Sequence, residues 1–112
     1  MPLDQYVYEK ARAALDAIPP GERDGIYVVS FFVYDEEDDP RRPTITVGFN
    51  TESDVTRADP EAADPVRAAS SKSEARWNYA FWRQNELAVV CDTAREPDGA
   101  AIRESWAREQ GL

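Results

Sequence analysis

The sequence predicts an α+β protein in which three helices pack against a small antiparallel sheet. The sheet is built on strands near 26–34 and 43–50, and the helices lie near 4–18, 73–90 and 98–110. Three segments carry apolar residues at helical spacing, and two segments are rich in β-branched and aromatic residues. Together with a length of 112 residues, which is typical of one domain, these patterns predict the class.

The first and last helices follow from apolar spacing and from strong start and stop signals. Apolar residues recur at helical intervals over 7–18, until Pro19-Pro20-Gly21 ends the helix. Pro97-Asp98 opens the last helix, whose apolar face carries Ile102 and Trp106.

The middle helix, near 73–90, is predicted from the capping box Ser71-x-x-Glu74. Trp77 and Phe81 are one turn apart on it, so both are expected in the core. Residues 87–91 fit either a buried strand or the continuation of this helix. Continuation is favoured, because 84–86 contain neither glycine nor proline.

The two strands differ in their patterns. From Ile26 to Tyr34 nearly every residue is β-branched or aromatic, and apolar groups on both faces indicate a central strand that is covered on each side. From Thr44 to Phe49 apolar and polar residues alternate, which is typical of a strand with one buried face. The short connection between them predicts antiparallel pairing.

The stretch 51–70 is interpreted as a loop or a broken helix. It contains Pro60 and Pro65 among many alanines, and proline interrupts helices. Thr51 with Asp54 forms a pattern that starts a short helical turn.

Composition narrows the possible partners and the compartment. The formal net charge is −9, which repels phosphate backbones and disfavours nucleic acid as a partner. The apolar stretches at 26–29 and 87–91 are far shorter than the ~20 residues of a membrane span. No signal peptide is visible, and the single cysteine, Cys91, is read as a buried thiol. A cytoplasmic location is therefore predicted.

The chain lacks residues that the common catalytic sites require. The chain has no histidine, which removes the usual base of a catalytic triad and the usual ligands of zinc. The five glycines are scattered and do not form a phosphate-binding loop. No cofactor or metal is predicted, and enzyme function is disfavoured.

The candidate site is a pair of features expected to contact a protein partner. Five consecutive carboxylates are predicted to decorate a solvated hairpin tip, without the glycine and the alternation of a calcium loop. In the aromatic run 77–82, at least one of Tyr79 and Trp82 should lie off the core stripe and be available to a partner. The predicted contact residues are Asp35, Glu36, Glu37, Asp38, Asp39, Tyr79 and Trp82.

Three phrases resemble a group of small acidic bacterial proteins related to immunity proteins of polymorphic toxin systems. They are Asp39-Pro40-Arg41-Arg42-Pro43-Thr44, Gly48-Phe49-Asn50-Thr51-Glu52 and Glu74-Ala75-Arg76-Trp77-Asn78-Tyr79-Ala80-Phe81-Trp82. The resemblance implies that the domain 1–112 is the N-terminal portion of a longer family fold. A homodimer through an uncovered sheet edge, or through the face of Trp106, is expected on that basis.

The predicted function is a non-enzymatic, acidic protein-interaction module. Its concrete form is an immunity protein that neutralises a basic toxin, with carboxylates imitating nucleic acid and aromatic residues anchoring the contact. One alternative is a metal-assisted hydrolase that uses clustered carboxylates, and another is a structural or assembly subunit.

Overall fold

The computed structural model describes residues 1–58, 69–83 and 85–112 and confirms the α+β class. Two short 3-10 turns, at Glu36–Asp38 and Tyr79–Phe81, accompany the longer elements. In chain order the helices and strands of these residues are α1 (Leu3–Asp16), α2 (Pro20–Arg23), β1 (Ile26–Asp35), β2 (Pro43–Thr51), α3 (Glu52–Ala58), α4 (Lys72–Trp77), β3 (Ala88–Val90) and α5 (Pro97–Glu109).

The strand order in the antiparallel sheet is β1-β2-β3, so β2 is central. The register between β2 and β3 places Ile45 opposite Val90 and Val47 opposite Ala88. The predicted central position of β1 is therefore wrong. Its apolar residues lie on both faces of a strand at the edge of the sheet, and 31–33 are more than half exposed.

The predicted helix over 73–90 is also wrong beyond its first turns. The N-cap at Ser71 is confirmed, because Ser71 Oγ accepts a hydrogen bond of 3.1 Å from Glu74 N. The carboxylate of Glu74 accepts from Ser70 N at 3.1 Å, one residue before the position that the predicted capping box requires. The helix α4 nevertheless ends at Trp77. Asn78 adopts an extended backbone, and its Oδ1 accepts a 3.0 Å bond from Ala80 N that starts a separate 3-10 turn. A local asparagine bond of this kind competes with helix propagation. Residues 88–90 form β3 instead.

The helices α1 and α5 are confirmed within two residues of the predicted bounds. A further helix, α3, begins after Thr51. Asp54 accepts 2.9 Å bonds from both N and Oγ1 of Thr51, and Thr51 Oγ1 accepts from Asp54 N at 3.2 Å, so the predicted turn is present. The interpretation of 59–68 as a loop or broken helix lies outside the described residues.

The chain forms two compact units, each with its own core. The first unit comprises Met1–Ala17, Ser30–Gly48 and Glu86–Leu112, and the second comprises Ile18–Val29 and Phe49–Asn85. The core of the first unit is built on Tyr6, Val90 and Cys91, with Leu3, Val7, Ile45, Ala88 and Ile102 packed against them. The core of the second unit is built on Val55, Ala58, Ala69 and Ala75, with Tyr27 and Phe81 packed against them.

Glu96 links three elements of the first unit. As the N-cap of α5, its carboxylate accepts a 2.8 Å bond from Gly99 N. The same group accepts bonds from Tyr6 OH at 2.7 Å and from Cys91 N at 3.2 Å. The backbone of Cys91 has a φ of 76°, a left-handed conformation that is rare for residues other than glycine, asparagine and aspartate. The bond to Glu96 ties this strained residue to the start of α5.

Candidate interaction surfaces

The acidic hairpin tip, residues 35–39, belongs to the first unit and is folded into a tight turn. Glu37 and Asp38 both have positive φ, at 55° and 59°. This left-handed backbone makes a tight connection between β1 and β2. Glu36 N donates a 2.9 Å bond to Arg42 O across the connection. The backbone of the tip is therefore an ordered turn.

Glu36 is not a solvated charge, so the prediction that all five carboxylates decorate the surface is wrong for this residue. Its side chain is only 15% exposed. It accepts bonds from Thr93 N at 2.9 Å, Thr93 Oγ1 at 2.7 Å and Arg103 Nη2 at 3.0 Å. The bonds from Thr93, together with the guanidinium of Arg103, lower the pKa of Glu36 from 4.5 to about 2 against an opposing contribution from desolvation.

Arg103 is the buried partner in this network. It lies on α5, and its Nη1 donates a 3.0 Å bond to Thr44 Oγ1 while its Nη2 also reaches Thr93 Oγ1 at 3.1 Å. A buried charge is tolerated when it is paired and hydrogen-bonded. The sequence analysis missed Arg103, and its position among alanines on the α5 face was the available signal.

Asp39 is also engaged within the tip. Arg41 contacts it through Nε at 3.0 Å and Nη2 at 2.9 Å, and these bonds lower the pKa of Asp39 to about 2. Asp35, Glu37 and Asp38 are exposed, and Glu37 also accepts a 3.2 Å bond from Arg42 Nη1. Three of the five carboxylates among the predicted contact residues are therefore exposed to solvent.

A second candidate surface lies in the second unit and is called here the aromatic surface: Tyr27, Arg76, Trp77, Tyr79 and Trp82. Trp77 is 62% exposed and Tyr79 is 37% exposed, whereas Tyr27 and Trp82 are half-buried beneath them. Tyr27 stands edge-on to Trp77 with ring centroids 5.8 Å apart, and Tyr79 meets Trp82 at 5.4 Å. Contacts of this kind hold exposed rings in place.

The backbone carbonyl of Arg76 is the anchor of the aromatic surface. It accepts a 2.6 Å bond from Tyr27 OH and a 2.9 Å bond from Trp82 Nε1. The guanidinium lies 4.2 Å from the centroid of the Tyr27 ring and 2.8 Å from Glu52. The hydroxyl of Tyr27 and the indole N–H of Trp82 therefore both have a hydrogen-bond acceptor. The guanidinium of Arg76 is held beside the exposed ring of Trp77.

The predicted core role of Trp77 is wrong, because α4 ends there and no second helical turn extends the apolar stripe. Phe81 packs against the core of the second unit but is only half-buried, so its predicted core position is confirmed in part. The prediction that Tyr79 or Trp82 lies off the core is consistent with the exposed Tyr79. Sequence reasoning missed Tyr27 and Arg76, since one belongs to a strand assigned to the core and the other is an ordinary helix arginine.

Trp106, expected on an association surface, lies in the first unit. It is half-buried and lines an open groove of about 840 Å³ together with Leu3, Val7 and Ile102.

The predicted thiol burial is confirmed for Cys91, whose pKa is raised to about 11, chiefly by desolvation.

Within 1–58, 69–83 and 85–112, no group of three or more cysteine, aspartate or glutamate side chains is arranged to hold a metal ion. The helices in these same ranges include none with the length and apolar character needed to cross a membrane.

Comparisons with protein-family models, with curated proteins and with solved structures gave no match to this chain.

Proposed function

We propose that this chain is a non-enzymatic, acidic protein-interaction module and that the aromatic surface is its contact site. The observation that carries the proposal is the 62% exposure of Trp77. Leaving an indole in water forgoes the free energy of burying it, which is large for tryptophan. Trp, Tyr and Arg are the residues that most often dominate binding energy in protein interfaces, and all three adjoin one another here.

The aromatic surface is also preorganised. Trp77 is held against Tyr27, and Arg76 is held by Glu52, before any partner arrives. Side chains that are already ordered lose less conformational entropy on binding. The arrangement therefore favours a contact in which Trp77 enters a pocket on the partner.

The net charge of −9 indicates a basic partner. Asp35, Glu37 and Asp38 supply exposed carboxylates that attract such a protein over distance and raise its association rate. The concrete form of the proposal is neutralisation of a basic toxin, in which the acidic module occludes a surface that otherwise receives nucleic acid. Charge sets how fast the partner arrives, and the aromatic anchors set how slowly it leaves.

The test begins with capture of basic proteins from the native host by the wild-type chain and by Trp77→Ala. Tyr8→Ala is the matched control, because Tyr8 is 61% exposed on α1. We expect the wild type and the control to retain the same basic partner. Loss of a central tryptophan should raise the dissociation rate by roughly 30-fold or more, which corresponds to a hot spot of about 2 kcal/mol. An unchanged dissociation rate for Trp77→Ala would exclude the aromatic surface as the contact site.

The charge contribution is tested with a triple variant, Asp35→Asn, Glu37→Gln and Asp38→Asn. Glu36 is left unchanged, because its carboxylate stabilises the fold. We expect slower association, a weaker dependence on salt and an unchanged dissociation rate. An association rate that responds neither to the variant nor to salt would remove the acidic hairpin tip from the mechanism.

A further inference from the structure

A cavity of about 490 Å³ lies in the first unit, where the connection from β1 to β2 meets α5. Four arginines line it. Arg41 and Arg42 follow the acidic hairpin tip, and Arg103 and Arg108 lie on α5. The volume is within the range of roughly 300–1,000 Å³ that small-molecule sites occupy. The fold thus brings guanidinium groups from two distant parts of the sequence to one cavity.

The charge of this cavity is opposite to that of the chain. The chain has 22 acidic and 13 basic side chains, so an average sample of its charges would contain more carboxylates than guanidinium groups. Four of the 13 basic residues line the cavity, whereas Glu104 is the one acidic side chain that lines it among the residues described. A site of this kind on an acidic protein favours a negatively charged ligand.

Arg103 gives the cavity a fixed donor group. Its side chain is 4% exposed, and it is held by hydrogen bonds to Thr44, Thr93 and Glu36. A side chain that is already ordered loses little conformational entropy when a ligand binds. Because Glu36 compensates the charge of Arg103, the attraction of an anion depends mainly on the other three arginines.

Two of those arginines have partners that an anion can displace. Arg108 pairs with Glu104 at 3.2 Å, and the two side chains are 68% and 72% exposed. Arg42 pairs with Glu37 at 3.2 Å, and Glu37 is 79% exposed. Exposed ion pairs contribute little free energy. An anion inside the cavity is offered several guanidinium groups at once, and it therefore competes well with these single pairs.

Small side chains on α5 make room for a ligand and give it an apolar surface. Ala100, Ala101 and Ala107 line the cavity beside the arginines, and Pro97 lines it at the start of the helix. A cavity that is partly apolar and carries a few polar groups is typical of a site for a small organic molecule. The alanines thus favour a ligand that carries an apolar part beside its charged group.

We propose that this cavity binds a small organic anion, either a carboxylate or a phosphate monoester. Its charged group contacts the guanidinium groups, and its apolar part lies on the alanines of α5. Arginine is suited to both oxyanions, because its planar fork donates two parallel hydrogen bonds to paired oxygens. The cavity belongs to the first unit and the aromatic surface to the second, so this binding does not require the protein partner proposed above.

NMR titration of the purified chain with phenyl phosphate and with benzoate tests the proposal and distinguishes the two oxyanions. We expect at least one of them to bind with a dissociation constant below about 10 mM and to shift the Nε–H signals of Arg42 and Arg108. Benzyl alcohol, which lacks the charge, and inorganic phosphate, which lacks the ring, should bind about 10-fold more weakly. Failure of both anions to bind, or equal affinity for benzyl alcohol or for inorganic phosphate, would overturn the proposal.

A matched pair of arginine variants locates the site. Arg108→Gln should weaken binding of the better anion by about 10-fold, since it removes a charged hydrogen-bond donor. Arg12→Gln is the control, because Arg12 is also 68% exposed and pairs with Asp16 four residues away, as Arg108 does with Glu104. Both variants change the net charge equally. Equal weakening by the two would show that the anion responds to overall charge, and the cavity would be excluded.

A gain of affinity provides a test that unfolding cannot imitate. Glu104→Gln removes the carboxylate that competes for Arg108, so it should strengthen anion binding several-fold. Asp16→Asn removes the matching carboxylate beside Arg12 and should leave the affinity close to that of the wild type. If Glu104→Gln bound the anion no more tightly than Asp16→Asn, the assigned site would be wrong.

Discussion

Replacing Glu36 by glutamine should destabilise the protein more than replacing any exposed carboxylate of the acidic hairpin tip. Glutamine keeps the shape of the side chain but removes the negative charge that neutralises Arg103. The guanidinium of Arg103 is nearly inaccessible to water, with its side chain 4% exposed. The substitution therefore leaves a buried cation with hydrogen bonds to Thr44 and Thr93 but without its counter-charge.

The magnitude follows from the pKa of Glu36. Its lowering from 4.5 to about 2 corresponds to about 3 kcal/mol of preference for the charged form, at about 1.4 kcal/mol per pKa unit. Removing one partner of a fully buried pair costs about 3–5 kcal/mol. Because 15% of the Glu36 side chain still contacts solvent, we expect a loss of about 2–3 kcal/mol in the free energy of unfolding near neutral pH.

The dependence on pH distinguishes loss of the Glu36 charge beside Arg103 from a general loss of stability. A carboxylate whose pKa is lowered by folding stabilises the native state above its unfolded pKa, and this stabilisation is lost as the pH falls through the folded value. The difference between wild type and Glu36→Gln should therefore be full above 4.5 and should shrink as the pH approaches about 2.

Urea denaturation at several pH values measures the difference, with Glu37→Gln as the control because the side chain of Glu37 is 79% exposed. The control should match the wild type. A Glu36→Gln difference below about 1 kcal/mol, or one that stays constant down to low pH, would refute the assigned role of the Arg103 pair.

Two further predictions concern packing. Gly99→Ala should lower stability by about 1–2 kcal/mol, because the added methyl group would collide with the carboxylate of Glu96 that caps α5. Gly21→Ala has open space and should be nearly neutral in the same denaturation assay; equal effects would contradict the clash. Phe81→Ala should cost about 2 kcal/mol and Trp77→Ala less than about 1 kcal/mol, since only Phe81 packs against a core. The reverse order of midpoints would place the indole in the core after all.

Local signals in the sequence predicted local structure well. The helices α1 and α5 and the strands β1 and β2 follow from periodicity and from proline positions, and the capping residue at Ser71 behaves as its motif requires. Each of these elements is decided by residues within a few positions of one another. Propensity and capping act over that same range, which is why sequence reasoning was sufficient for them.

Long-range pairing decided the features that the sequence analysis got wrong. Glu36 is one acid in a run of five, and nothing nearby distinguishes it. Its burial depends on Arg103, which lies 67 positions further along the chain. The strand β3 is likewise only three residues long, and its pairing with β2 outweighs the helical continuation that its neighbours favour.

The incorrect central position of β1 was inferred from a correct observation about its side chains. Apolar residues on both faces are typical of a strand that is covered on both sides. In the part of the chain that the structure describes, Phe31 and Val33 are instead more than half exposed. Water is an unfavourable environment for this composition, because each exposed ring forgoes the free energy of burial. The composition of β1 thus predicts that it is a strand, whereas its place at the edge is set by the order β1-β2-β3, which no residue within β1 determines.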